Sequence, residues 1–150
     1  MILTLTHTNH DVAQSILELS YAAYQQEASL LKLSHFPPLS ETIDSILNAH
    51  SVFHGMEQND QLVGVIELEQ GNIYQVNRLV VHPEYFRQGI GRSLLTHSLS
   101  NTNTYQVTTA IANTPAINLY ESFGFVQQCT FMVEGSLELC TLVRFVPTKA

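Results

Sequence analysis

The chain has 150 residues, 45% of them apolar, which suits one domain spanning 1–150 and able to bury roughly 70% of its unfolded surface without disulfide or metal staples. A formal net charge of -7 with only six Lys plus Arg argues against a nucleic-acid or anionic-membrane surface, because phosphate binding is carried largely by clustered cations. No apolar run reaches the roughly 18 to 20 residues of a membrane span, so the chain reads as soluble, and its charge suits a cationic or neutral small partner.

In chain order, Ile2 to Thr8 alternates like a strand, and Asn9 or Asp11 can cap a helix running to about Glu27. Val12, Ile16, Leu19, Ala23 and Leu30 recur along it every three to four residues or a multiple of that spacing. The start lacks the basic and apolar segments of a secretory signal, and a cytoplasmic location is expected. Pro37 and Pro38 break the helical pattern before a short second helix with Ile43, Ile46 and Leu47. Ser51 to Gln58 and Gln61 to Glu69 read as a hairpin across Asn59-Asp60, and Gln70-Gly71-Asn72 turns into the strand Ile73 to Val81.

After Pro83 the pattern changes. Gly89 to about Ser100 reads as a helix, Gln106 to Ala112 as a strand, Pro115 to Ser122 as a helix, and Val126 to Glu134 and Glu138 to Val146 as two closing strands. Strand, helix, strand is the crossover unit of a parallel pair, so the expected fold is α/β (α+β). A mixed, mostly antiparallel sheet of about seven strands carries one parallel pair and is flanked by about four helices.

Glycine costs helix stability, so Gly89-Ile90-Gly91 at a helix start needs either a tight turn or close approach to something bound. Helix-start amides following a strand make an anion site, although neither GxxxxGK[ST] nor GxGxxG is present. The segments VVHPEYFRQGIGRSLL and NTPAINLYESFGF together resemble the GNAT N-acetyltransferase superfamily. The first resembles its acetyl-CoA motif, [RQ]xxGxG or [RQ]xxGxA, and the second its NxxAxxxYxxxGF segment, over roughly residues 74–125. Two departures stand out: Phe86 occupies the Arg or Gln position, and Asn77 stands where many relatives carry Glu.

The resemblance implies that the amides of Gln88, Gly89, Ile90, Gly91 and Arg92 bind the coenzyme A pyrophosphate. The backbone of Leu79, Val80 and Val81 would pair with the pantetheine arm where the two parallel strands are splayed, and polarise the thioester, with Asn113 bonding the arm. Tyr120 would protonate the leaving thiolate, as a mostly protonated phenol can. Glu67 and Glu69 are the candidate bases, directly or through water, with His82 behind them. Plainer roles also fit these residues: packing for Tyr120, a helix cap for Asn113, a solvated strand face for the two glutamates.

The expected activity is acetyl-CoA-dependent transfer of an acetyl group to a primary amine of a small molecule or peptide. The alternative is an acyl-CoA-binding module without turnover. Tyr24, Glu27, His35, Phe36 and Pro37-Pro38 lie where the family places its variable acceptor elements. The seven histidines are scattered at 7, 10, 35, 50, 54, 82 and 97, and no metal is expected. Cys129 and Cys140 read as buried reduced thiols, and the C-terminal strands offer an edge for a homodimer.

Overall fold

The computed structural model describes residues 1–33, 37–133 and 137–147. Seven strands form one sheet: β1 (Ile2–Leu5), β2 (Val52–Gln58), β3 (Gln61–Glu69), β4 (Tyr74–Val81), β5 (Tyr105–Ala110), β6 (Val126–Val133) and β7 (Leu137–Arg144). Their spatial order is β1-β2-β3-β4-β5-β7-β6, antiparallel except for β4 against β5. Four α-helices accompany the sheet: α1 (His10–Leu30), α2 (Ile43–Leu47), α3 (Ile90–Ser98) and α4 (Thr114–Ser122). The expected architecture is the observed one; Glu134, His35 and Phe36 lie outside the described residues.

Local chemistry sets the boundaries. The Asn9 side chain accepts from the amides of Asp11 and Val12, fixing the start of α1. That helix runs three residues past Glu27 and ends with Lys32 at φ 57, where the Leu33 amide bonds Ala28 and the Lys32 amide bonds Ser29. This is a Schellman stop made without glycine, a left-handed residue that composition does not announce. Asn59 and Asp60 both take positive φ, as a two-residue hairpin turn between β2 and β3 requires.

Each face of the sheet carries its own core. Ala13, Ile16, Leu17 and Leu19 of α1 and Ile46 of α2 pack on Phe53, Val65 and Val80. On the opposite face Ile90, Leu94 and Leu95 of α3 and Ile117 and Tyr120 of α4 pack on Val63, Ile66, Leu68, Val76 and Val107. Leu30, read as part of the apolar stripe of α1, is exposed because it sits at the helix end beyond the sheet. Cys129 is likewise exposed rather than buried, since edge strand β6 is open on both faces, whereas Cys140 is fully buried.

Of the register shifts in the sheet, the one between β3 and β4 positions the site. Glu67 pairs with Arg78 but Leu68 pairs with Val76, so Asn77 is an extra residue on β4, a β-bulge. β4 holds β5 only through Tyr74↔Tyr105, Gln75↔Gln106 and Val76↔Val107, after which the two strands part. Directly beside the bulge, Arg78 is 8% exposed and its guanidinium is gripped from four sides. Its Nε donates to Glu67 at 2.9 Å and its Nη1 to Ser20 at 2.7 Å and to Glu41 at 2.8 Å, while Nη2 forms a second bond to Glu41. The ring of Phe53 lies 5.6 Å below the guanidinium carbon, and the Ser51 hydroxyl donates to Glu67 at 2.5 Å.

Removing one partner of such a cluster leaves an uncompensated buried charge. Arg78→Leu is therefore expected to destabilise the fold by about 3–5 kcal/mol in equilibrium denaturation, against less than about 0.5 kcal/mol for the exposed Gln127→Ala. Equal effects from the two variants would show that the cluster holds nothing together.

Candidate functional site

Where β4 and β5 part, they open a cleft of about 300 Å³. Val76 to Leu79 of β4 and Val107 to Ala110 of β5 line it, with Tyr120 from α4. Tyr24 and Glu27 of α1 reach it as well, together with Pro38 and the apolar Val133, Leu137 and Leu139. Helices from both faces of the sheet thus meet in one opening. Along it β4 keeps β3 as partner and β5 keeps β7, but their facing edges no longer pair with each other. Such an edge accepts an extended, amide-bearing chain as a strand would.

The chain leaves β4 at Val81, passes a 3-10 turn at Pro83–Tyr85, and enters α3 through Arg87 at φ 65 and Gly89 at φ 75. Gly89 is the N-cap residue and provides no side-chain cap. A Cβ there would meet nothing within 4 Å, so this glycine serves the left-handed turn and keeps open space in front of the helix. Gly91 serves a different end, since a Cβ on it would lie 3.2 Å from Leu119 of α4. Ser93 donates to the Gly89 carbonyl at 2.9 Å, which leaves the Ile90, Gly91 and Arg92 amides as the orphan donors of the first turn. Gln88 is exposed just before them. The Arg92 side chain turns away to α4, donating to Ser122 at 3.1 Å and stacking over Phe123.

The candidate acid and bases separate. Tyr120 is buried, its ring edge-on to Phe125 and its side chain lining the cleft. Burial, then the Glu27 carboxylate and Tyr24, push its phenol well above the ordinary tyrosine range, so it stays protonated. Glu67 faces Arg78 and Ser51 inside the sheet and does not line the cleft. Glu69 is exposed at the end of β3, where the Asn77 amide donates to it at 2.8 Å. His82 accepts from the Glu84 amide at the far end of β4, also outside the cleft. Leu79 lines the cleft, while Val80 packs under α1 and Val81 packs on the opposite face of the sheet.

Asn113 is the N-cap of α4, its carbonyl oxygen accepting from Ala116 at 3.3 Å. Burial raises the Glu27 pKa, and the neighbouring Asn113 side chain opposes the rise. Sequence reading had Glu27 only as one of several acceptor-side groups; its meeting with Asn113 and Tyr120 depends on α1 running past it. The Arg78 cluster went unread because its members are 58 residues apart at the widest, Ser20 to Arg78, and no local spacing joins them. Burial works against the Arg78 charge, and Glu41, Tyr24 and Glu67 more than offset it. Tyr24 is pushed up to about 12 by burial, against the pull of Arg78 and with the push of Glu41, Glu67 and Glu27.

The family model described as acetyltransferase (GNAT) domain matches residues 21–137. Among curated proteins, UPF0157 protein YqkA of Bacillus subtilis (strain 168) is 38% identical over 129 residues, covering 83% of this chain. The chain spans 38% of the length of that relative. The ribosomal-protein-S18-alanine N-acetyltransferase from Escherichia coli superposes with a TM-score of 0.77 at 18% identity, covering 100% of this chain and 96% of the other. YncA from Salmonella typhimurium, solved with its cofactor acetyl-CoA, superposes with a TM-score of 0.74 at 15% identity, covering 100% and 95%. At these identities the two structures carry the fold alone.

The raised Tyr24 pKa has a consequence at alkaline pH. A phenol whose folded pKa lies above its ordinary value of 10.0 contributes stability that is fully present below pH 10 and is lost as pH rises to about 12. Denaturation midpoints followed from pH 9 to 11 should therefore fall more steeply for the wild type than for Tyr24→Phe. Parallel curves would mean that Tyr24 is not held neutral by the fold.

Proposed function

Because the chain belongs to the GNAT acetyltransferase family, we propose that it is an acetyl-CoA-dependent N-acetyltransferase, moving an acetyl group to a primary amine of a small molecule or peptide by direct attack on the thioester. The observation that carries the reading is the cleft between β4 and β5, with Tyr120 on its lining and an uncapped, glycine-opened α3 following β4. The amides of Gln88 to Arg92 bind the coenzyme pyrophosphate, the Leu79 to Val81 backbone takes the pantetheine arm, and an amide of β4 polarises the thioester carbonyl. Coenzyme A supplies the activated acetyl group and the thiolate leaving group. Tyr120 gives its proton to that thiolate. Phe86, 46% exposed before the turn, replaces a polar family residue, which backbone binding of phosphate tolerates. A cytoplasmic setting accompanies this reading.

Calorimetric titration with acetyl-CoA, against ATP and NAD controls, should give micromolar binding for acetyl-CoA alone. With an amine that releases free thiol, Tyr120→Phe should lower kcat about 100-fold or more and leave acetyl-CoA affinity unchanged. Tight binding with no thiol released from any amine would leave an acyl-CoA-binding module, and no binding at all would remove both readings.

A homodimer joined through β6 is part of the proposal. That edge strand exposes Val126, Phe131 and Met132, the last at 56%, and exposed apolar edges pair or are covered. Sedimentation should report a dimer that Phe131→Lys converts to monomer; a monomeric wild type at high concentration would refute it.

A further inference from the structure

Among the described residues lining the cleft, Glu27 is the only carboxylate. The one cation on that lining, Arg78, is already engaged by Glu41 and Glu67. The carboxylates expected from sequence to act as bases are elsewhere, Glu67 inside the Arg78 cluster and Glu69 on the exposed end of β3. Glu27 is half-buried and shares the cleft lining with Tyr120, whose phenol its carboxylate pushes up. A carboxylate, a phenol and a strand-edge cleft thus come together from α1, α4 and the β4–β5 splay.

We propose, resting on the acetyltransferase reading, that Glu27 binds the ammonium group of the acceptor and removes its proton, and that the acceptor is a monoamine on an apolar body rather than a polyamine. The amine enters as R–NH3+ and one proton passes to the Glu27 carboxylate. The free amine attacks the thioester carbonyl, forming the C–N bond, and the C–S bond breaks with its electron pair on sulfur. The second proton lost from nitrogen balances the one the thiolate takes through Tyr120, and Glu27 returns its proton to solvent. The limit on the acceptor follows from the lining. Among the described residues a single available carboxylate matches one positive charge, while Pro38, Leu137 and Leu139 offer apolar contact.

The groups facing Glu27 are Tyr24 on its own helix, Tyr120 and Asn113 from α4 and its cap, and Arg78 across the cleft. Both phenols are held protonated through the neutral range and Arg78 stays charged, so Glu27 is the group among them left to set an acidic limb. In a panel containing phenethylamine, an apolar amino-terminal dipeptide and spermidine, the first two should exceed spermidine at least tenfold in kcat/KM. Glu27→Gln should lower kcat/KM about 100-fold or more, abolish the acidic limb of its pH profile and leave acetyl-CoA affinity within about twofold. Glu27→Asp, which keeps the charge but withdraws it by one methylene, should lose less and retain the limb. Unchanged turnover and an unchanged limb in Glu27→Gln would overturn the assignment, and preference for spermidine would overturn the acceptor class. Should the wild type bind acetyl-CoA yet release no thiol, turnover fails separately, and calorimetry with phenethylamine on the coenzyme-loaded protein decides Glu27. A tenfold weaker affinity in Glu27→Gln supports it, whereas equal affinity or no amine binding by the wild type refutes it.

Discussion

Everything in this molecule turns on β4 being unable to stay beside β5. Three parallel pairs form, then one extra residue, Asn77, shifts the register of β4 against β3 and the strands part. A bulge leaves its extra residue unpaired and re-aims the strand, at the expense of ladder hydrogen bonds. The sheet can tolerate the loss because both strands keep their outer partners: β3 still holds β4 as far as Val81, and β7 holds β5 along its whole length. What results is an internal strand edge, open in the middle of a sheet rather than at its rim. The same edge leads through a short turn to a helix whose first amides have no side-chain cap. A ligand with an extended amide-bearing arm and an anionic end matches both features in sequence.

A gap in a sheet also removes support from what packs over it, and the Arg78 cluster restores that support. Burying a guanidinium and two carboxylates costs several kcal/mol per ion, offset only where the geometry is good and remaining hydrogen bonds are filled. Here the guanidinium meets Glu67, both oxygens of Glu41 and the Ser20 hydroxyl, and Ser51 fills the outer oxygen of Glu67. Glu41 belongs to the segment between α1 and α2, and its backbone carbonyl accepts from Tyr21 as well. One arginine therefore ties α1, the segment before α2, β3 and β4 into a single unit at the margin of the cleft. Hydrophobic contact alone would hold these elements without fixing their register; the bidentate fork does fix it.

How much of this the sequence disclosed depends on the range of each signal. Features written within a few residues were legible: the Asn9 cap, the Asn59-Asp60 turn, the Gly89 turn and the strand-helix-strand unit that makes β4 and β5 parallel. The end of α1 was not, because Lys32 supplies the left-handed stop and nothing in a lysine signals it. Alternation on β3 correctly set Glu67 and Glu69 at two-residue spacing, but their environments are decided by partners far off in the chain. Arg78 and Ser51 claim one and Asn77 the other. Edge strand β6 misled in the opposite direction, since an apolar pattern that reads as buried, Cys129 included, lies open along both faces.

Proximity of Glu27 to Tyr120 bears on how a buried phenol can serve as an acid at all. A phenol raised by burial and by a neighbouring carboxylate donates poorly, and a thiolate is a modest base, with an ordinary thiol pKa of about 8.5. Yet one of the causes holding Tyr120 up is the negative charge of Glu27 itself. On the proposed reading, when Glu27 takes the proton of an incoming ammonium, that charge disappears and Tyr120 becomes a stronger acid as the thiolate forms. Asn113 caps the helix that carries Tyr120 and so fixes where the phenol enters the cleft. Deprotonation of the acceptor and protonation of the leaving group are then coupled through a single electrostatic contact. On that reading the order of events follows from charge: the amine arrives protonated, surrenders its proton to the carboxylate, and by doing so releases the phenol to finish the reaction.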